Sequence, residues 1–241
     1  MKKILLAIIL SPMVAWAACP GKTVFGPPTA IPYRDLEVRC RIEYEIAYSP
    51  ALRSAIWSAE QVTAQKVTTP NVRLDKFKQD PDLKSADVPH PSVYEGSGYD
   101  KGHLTPFDDI GGNAAAGLES FYMSNIVPQH PKNNRVGWKS LEIKIRKWAV
   151  QRSSLYVITG PIYNQPVTLI KQSAPIPSHL YKIVVDPVRK ELLVIMVPNA
   201  PITSADLPKY VTELSTVEQY TGIKFFPKLP KDITLSKKLW D

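Results

Sequence analysis

Gly98-Tyr99-Asp100-Lys101-Gly102-His103-Leu104-Thr105-Pro106 is the stretch around which the chain reads, and its partner is Asn125-Ile126-Val127-Pro128-Gln129, running on to Arg146. The first sets a histidine behind a Gly-flanked turn, with a carboxylate and a cation beside it. Gly98 and Gly102 let the backbone bend and leave room for a ligand to approach without a Cβ in the way. The second offers amides, then Glu142 and Arg146 four residues apart, neighbours on a helix surface.

Outward from these stretches, periodicity supplies the frame. Val136 to Arg152 carries Trp138, Leu141, Ile145, Trp148 and Ala149 at three- and four-residue steps, an amphipathic helix. Glu37 to Tyr48 alternates, with Val38, Cys40, Ile42, Tyr44 and Ile46 on one face, and reads as one half-buried strand. Leu52 to Val67 fits either strand or short helix, and Asn71 to His90 reads as a long surface loop. Asn113 to Glu119 suits a short helix, and Ser154 to Ile162 a buried strand. Leu180–Val185 and Glu191–Val197 form a hairpin, Ser204 to Gly222 looks helical, and the Lys/Pro-rich tail after Phe226 reads as irregular. His90, His130 and His179 sit beside or near proline, without metal-ligand spacing, and read as loop residues. With no internal repeat or linker, the expectation is one α+β domain over 18–241, built on a central antiparallel β-sheet with flanking helices.

At 241 residues, 44% hydrophobic and with five Trp, the chain can bury a substantial core, and 23 prolines favour many fixed turns. Lys2-Lys3, the apolar run Ile4–Leu10 and Ala15-Trp16-Ala17 read as a signal peptide over 1–17, with cleavage after Ala18 as the alternative. No stretch is long enough for a membrane span. The expected product is exported, periplasmic or secreted. The formal charge of +8 falls to about +6 once Lys2 and Lys3 are lost. A basic exported protein has a polyanion as a plausible partner: nucleic acid, an anionic envelope surface or acidic polysaccharide. In an oxidising compartment the economical reading of Cys19 and Cys40 is one disulfide. Lipidation of Cys19 is the rival, disfavoured by Trp16 where a lipoprotein signal carries an aliphatic residue.

The chemistry follows from residue types. Near pH 7 the His103 imidazole can accept a proton from water. The Asn134 amide oxygen suits a hard ion such as Mg²⁺, which keeps several waters and takes few protein ligands. The alternative for Asn133-Asn134 is a helix cap, and for Glu142 with Arg146 an exposed salt bridge. Steps of eight and twelve residues from Asn134 rotate about 80° and 120° around a helix axis, so Asn134, Glu142 and Arg146 can border one cleft. No G-x-S-x-G, H-E-x-x-H or P-loop is present.

These two motifs resemble the DNA/RNA non-specific endonucleases of the ββα-metal (His-Me finger) type, whose signature is Asp-Arg-Gly-His followed by an Asn-bearing helix. Softer similarity runs from Cys40 to about Pro198 and includes Arg73, Phe77, Asp80 and Gly160-Pro161-Ile162-Tyr163. The resemblance implies a ββα-metal motif and Mg²⁺-dependent cleavage (Mn²⁺ would fit the same oxygen-rich site) of DNA and RNA, with little sequence preference. It implies His103 as general base and Asn134 as the protein ligand of the metal. Glu142 would hold a metal-bound water, and Arg146 would neutralise charge on the phosphate in the transition state. Lys101 and Asn125 are carried into the site by the motifs, and Arg73 as a further phosphate contact. Lys101 stands where the family usually has arginine, keeping the charge but losing the planar fork. The rival reading is therefore a nucleic-acid-binding protein with weakened catalysis on the same fold.

Overall fold

The structure, a computed structural model, describes residues 19–29, 32–73 and 76–240. The leader read over 1–17, and the alternative cleavage point after Ala18, lie outside the described residues. The strands are β1 (Glu37–Cys40), β2 (Tyr44–Ser49), β3 (Ser54–Thr63), β4 (Asp100–His103), β5 (Ile126–Gln129), β6 (Ser154–Ile162), β7 (Leu169–Ile170), β8 (Ala174–Pro175), β9 (His179–Asp186), β10 (Glu191–Pro198), β11 (Val211–Thr212) and β12 (Thr234–Leu235). The α-helices are α1 (Ala64–Thr68), α2 (Ala114–Ser120), α3 (Lys139–Arg152) and α4 (Leu214–Thr221).

One sheet dominates, in the order β1-β2-β3-β6-β9-β10-β11, with β12 added beside β10. Every neighbouring pair along that order is antiparallel, so the α+β class with a central antiparallel sheet holds. Strands β4 and β5 form a separate two-stranded ribbon that leads into α3.

The alternation over Glu37 to Tyr48 is interrupted. The chain turns at Arg41–Glu43 and returns as β2, so what read as one strand is a hairpin, and Ile42 at its tip is exposed. Arg41 causes the break: its N–H donates to the Tyr44 carbonyl at 2.7 Å, and its buried guanidinium pairs with Asp80 and Asp82. Leu52 to Val67 resolves into both alternatives. β3 runs to Thr63, whose hydroxyl accepts from Lys66 N at 3.2 Å and caps α1.

Ser204 to Gly222 is not one helix. A 3₁₀ segment over Ser204–Tyr210 containing Pro208, which has no N–H to continue a ladder, gives way to β11 before α4 begins. The tail contributes β12, and His179 opens β9 rather than lying in a loop. The disulfide joins Cys19 to Cys40, with Cα atoms 5.4 Å apart, and leaves no sulfur on Cys19 for a lipid.

The sheet has two faces. One packs Val157, Leu180, Val184 and Ile195 against Leu141, Ile145 and Trp148 of α3. The other packs Trp57, Ile158, Ile183 and Val194 against Val217 of α4 and Phe225. Because side chains alternate along a strand, Lys182 falls on the α3 face between Leu180 and Val184. Ser58, Thr159 and Lys182 stand side by side across β3, β6 and β9, a polar row across an otherwise apolar face.

Candidate active site

The ribbon sets the histidine. Its register pairs Asp100 with Gln129, Gly102 with Val127 and His103 with Ile126. Gly98 enters with φ +80°, so the bend read for it is present. Gly102 has a different use from the one expected. A Cβ there would lie 2.3 Å from Gln129 Oε1 and 2.7 Å from Gln129 Cβ, so the glycine admits a cross-strand side chain and not a ligand. The His103 ring packs edge-on to Phe121 at 5.2 Å between centroids and beside Phe77 at 5.5 Å.

Behind His103 the backbone is clamped. Leu104 N donates to the Asn125 carbonyl at 3.0 Å. The Asn125 side chain accepts from Thr105 N at 3.0 Å and donates to the carbonyls of Thr105 and Ser120, each at 2.9 Å. Thr105 Oγ1 meets Ser58 Oγ at 2.6 Å. Lys182 Nζ donates to Thr159 Oγ1 at 2.8 Å and to the Leu104 carbonyl at 3.4 Å. Asn125 is thus fully buried with its amide committed to backbone. It fixes the exit of β4 and does not line the cleft.

The second half of the site begins with a wide π-type turn over Asn133–Trp138, which passes into α3; such turns occur often at functional sites. It is anchored from the sheet: Asn133 Nδ2 donates to the Pro198 carbonyl at 3.0 Å, and His130 N to Asn199 Oδ1 at 2.7 Å. Asn134 does not cap the helix. Its Nδ2 donates to Asp100 Oδ2 at 3.0 Å, and Arg135 grips the same carboxylate through Nε at 2.7 Å and Nη2 at 2.6 Å. Burial opposes ionisation of Asp100, but the bonds from Arg135 and Asn134 outweigh it and hold the carboxyl below its ordinary value.

His103, Asn134 and Glu142 border one open cleft of about 360 Å³, whose walls carry the cations Arg73, Lys101, Arg135 and Lys139. Lys101 Nζ lies 5.4 Å from the Phe77 ring centre and 5.6 Å from that of Tyr94. Arg73 lies 5.4 Å from that of Phe121. Glu142 is pushed up to about 7, chiefly by burial, with Asp109 adding to the shift and Lys182 and Arg146 opposing it.

Arg146 is placed otherwise than its spacing suggests. It is not part of the cleft lining; it donates to buried Asp109 at 2.9 Å and lies 3.6 Å from Asp108. The wide first turn alters the rotation per residue, and the buried Asp109 carboxylate captures the guanidinium. Residue-by-residue reading missed Arg135, Lys139, Asp109, Glu60 and Lys182. For Lys182 the signal was present, a charge inside the β-branched run Leu180–Val185.

One amide oxygen as a ligand, with a carboxylate nearby to hold a bound water, fits a hard divalent cation that keeps most of its waters. Among the described residues no cluster of three His, Cys, Asp or Glu could hold a metal by itself. With Asn134 Nδ2 bound to Asp100, the amide oxygen is the end of that side chain left for a cation.

Comparison with known proteins agrees with this ββα geometry. Residues 27–232 match the family described as DNA/RNA non-specific endonuclease, and the chain belongs to that family. The mitochondrial nuclease EXOG of Xenopus laevis is 32% identical over 221 residues, which cover 83% of this chain and 61% of the relative. Nuclease C1 of Cunninghamella echinulata var. echinulata is 32% identical over 207 residues, covering 78% of this chain and 82% of the relative. A solved structure of an EndoG/EndoGI complex superposes with a TM-score of 0.77 at 25% identity, covering 83% of this chain and 90% of that one. The chain spans only 61% and 64% of the lengths of the Xenopus laevis and Danio rerio EXOG proteins.

Proposed function

We propose that this chain is an exported, divalent-metal-dependent endonuclease that hydrolyses phosphodiester bonds of DNA and RNA with little sequence preference. The observation that carries the reading is the shared cleft: a histidine, an amide and a carboxylate face one space walled by cations. Lys101, Arg73, Arg135 and Lys139 bind backbone phosphates, which gives affinity without reading bases. His103 Nδ1 or Nε2 takes a proton from the attacking water. Asn134 would hold Mg²⁺, or Mn²⁺, with Glu142 holding one of its waters; when bound, the cation neutralises charge on the scissile phosphate and the leaving oxygen. Arg146 acts at one remove, bracing Asp108 at the cleft wall and opposing the negative charge around Glu142. Asn125 is likewise a positioning residue, holding the turn behind His103.

Export is supported by the basic, apolar N-terminal segment and by the Cys19–Cys40 disulfide, which suits an oxidising compartment. Among the described residues no helix is long and apolar enough to cross a membrane.

Supercoiled plasmid incubated with the protein and Mg²⁺ tests the activity, beside a chelator control and a His103→Ala variant. Nicking that needs the metal and His103 is the expected result. One observation favours the second reading: Lys101 sits over two aromatic rings as a single-point donor, where a guanidinium would grip phosphate bidentately. Intact plasmid that is still retarded on a gel would establish a binding protein instead.

A further inference from the structure

Glu45 is a fully buried carboxylate on β2, with its Cα paired across the sheet to Ala59 and Cys40. Ala59 packs in the cluster on the sheet face away from α3, so Glu45 takes no part in the cleft. Its Oε2 accepts a hydrogen bond from the backbone nitrogen of Cys19 at 2.9 Å. Its Oε1 is buried with no hydrogen-bond partner among the described residues.

No cation among the described residues forms an ion pair with Glu45. The nearby ammonium of Lys22 donates to the Ile42 carbonyl at 2.6 Å and stands 3.8 Å from Glu43, and Lys66 reaches Glu43 at 2.6 Å. Burial therefore holds the Glu45 carboxyl above its ordinary value, offset in part by hydrogen bonds from the Cys19 N–H and the Thr23 side chain and by the charge of Lys22. A buried carboxylate left in that state is costly.

The nitrogen that meets Glu45 is held there firmly. Cys19 is itself buried, at 2% exposure, and its disulfide runs to Cys40, the cross-strand partner of Glu45. As a peptide N–H, Cys19 N supplies one proton and no net charge. As a chain terminus it would supply three donors and a positive charge, enough to serve both carboxylate oxygens.

We propose that the chain is processed at the Ala18–Cys19 bond and that the freed α-ammonium of Cys19 is the counterion of Glu45. The inference rests on the leader reading and not on the nuclease reading. A peptidase hydrolyses the bond with one water, leaving a carboxylate on Ala18 and an amine on Cys19. That amine takes up a proton at neutral pH and settles against the carboxylate already in place. Cleavage one residue earlier, after Ala17, leaves Cys19 N an amide and Glu45 without its cation. Folding of the mature chain is thereby coupled to release of its leader.

Two measurements test this. N-terminal sequencing and intact mass of the exported protein should show Cys19 as the first residue. A start at Ala18 overturns the proposal and leaves the leader reading standing; retention of Met1 removes both. Separately, mature proteins prepared with Cys19 first, with Ala18 first, and with Cys19 first but its α-amine acetylated are melted at pH 7. The free Cys19 terminus should melt roughly 5 °C or more above the other two, and Glu45→Gln should abolish the gap. Equal melting of the three Glu45 proteins overturns the pairing, whether or not Glu45→Gln folds.

Discussion

The ammonium of Lys182 donates to the carbonyl oxygen of Leu104, 3.4 Å away, and so ties the middle of the central sheet to the residue that follows His103. Lys182 is fully buried, and three buried or half-buried carboxyls, Glu60, Asp109 and Glu142, feel its charge. Removing it leaves Arg146 as the cation in direct contact with that group. Lys182→Met leaves the Thr159 hydroxyl and the Leu104 carbonyl without their donor and removes a charge the three carboxyls feel, and should cost about 1–3 kcal/mol at pH 7, the range for buried polar groups left unsatisfied. The loss should shrink at pH 5, below the value of about 7 to which Glu142 is pushed, where that carboxyl holds its proton. Urea unfolding at the two pH values measures it, and a loss below about 1 kcal/mol at pH 7 would remove Lys182 from the network.

Glu142 predicts a pH dependence of stability. Its folded value of about 7 lies above the unfolded value of about 4.3, so the folded state holds the proton more tightly. That contribution is complete below about pH 4.3 and is lost as pH rises through about 7. In chelator, wild type should therefore lose roughly 2 kcal/mol relative to Glu142→Gln between pH 5 and pH 8, a figure reduced for partial exposure. Parallel stability curves for the two proteins would show that Glu142 ionises normally.

Asp100 orients Asn134 from the strand opposite. Asp100→Ala frees the amide to rotate and releases Arg135 into the cleft. Loss of such a supporting contact should weaken Mn²⁺ binding and metal-dependent cleavage by about 10–100-fold, while the melting temperature changes little. Mn²⁺ titration followed by electron paramagnetic resonance separates the two effects. Unchanged Mn²⁺ affinity would mean that Asp100 serves Arg135 alone.

Gly102→Ala places a methyl group against Gln129, and the β4–β5 ribbon must open to accept it. The expected cost is about 1–3 kcal/mol, typical of overpacking, with activity falling further than stability because His103 is the next residue on β4. Full activity at unchanged stability would show that Gln129 moves aside freely.

How much of this was legible depended on how local the information was. The helix stripe Trp138, Leu141, Ile145, Trp148 and Ala149 is buried as its spacing required, and the β9–β10 hairpin lies where its β-branched runs placed it. A helix face and a strand run are short-range patterns, and burial only has to agree with them. The single strand read over Glu37 to Tyr48 failed for the opposite reason. Its alternation continues through a turn, and what bends the chain is the pairing of Arg41 with Asp80 and Asp82, some forty positions away.

The same division holds at the cleft. By itself the sequence determined the family, the general-base candidate His103, and the Asn134–Glu142 pair on the start of one helix. Chemistry of that kind needs particular residue types at particular separations, and those are written along the chain. Only the tertiary structure decided that Arg146 turns to Asp109, that Gly102 makes room for Gln129, and that Lys182 crosses from the sheet to hold the backbone behind His103. Each of these depends on which groups a buried charge or a missing side chain meets across elements. Desolvation forces such groups to find a partner, and packing alone chooses which one.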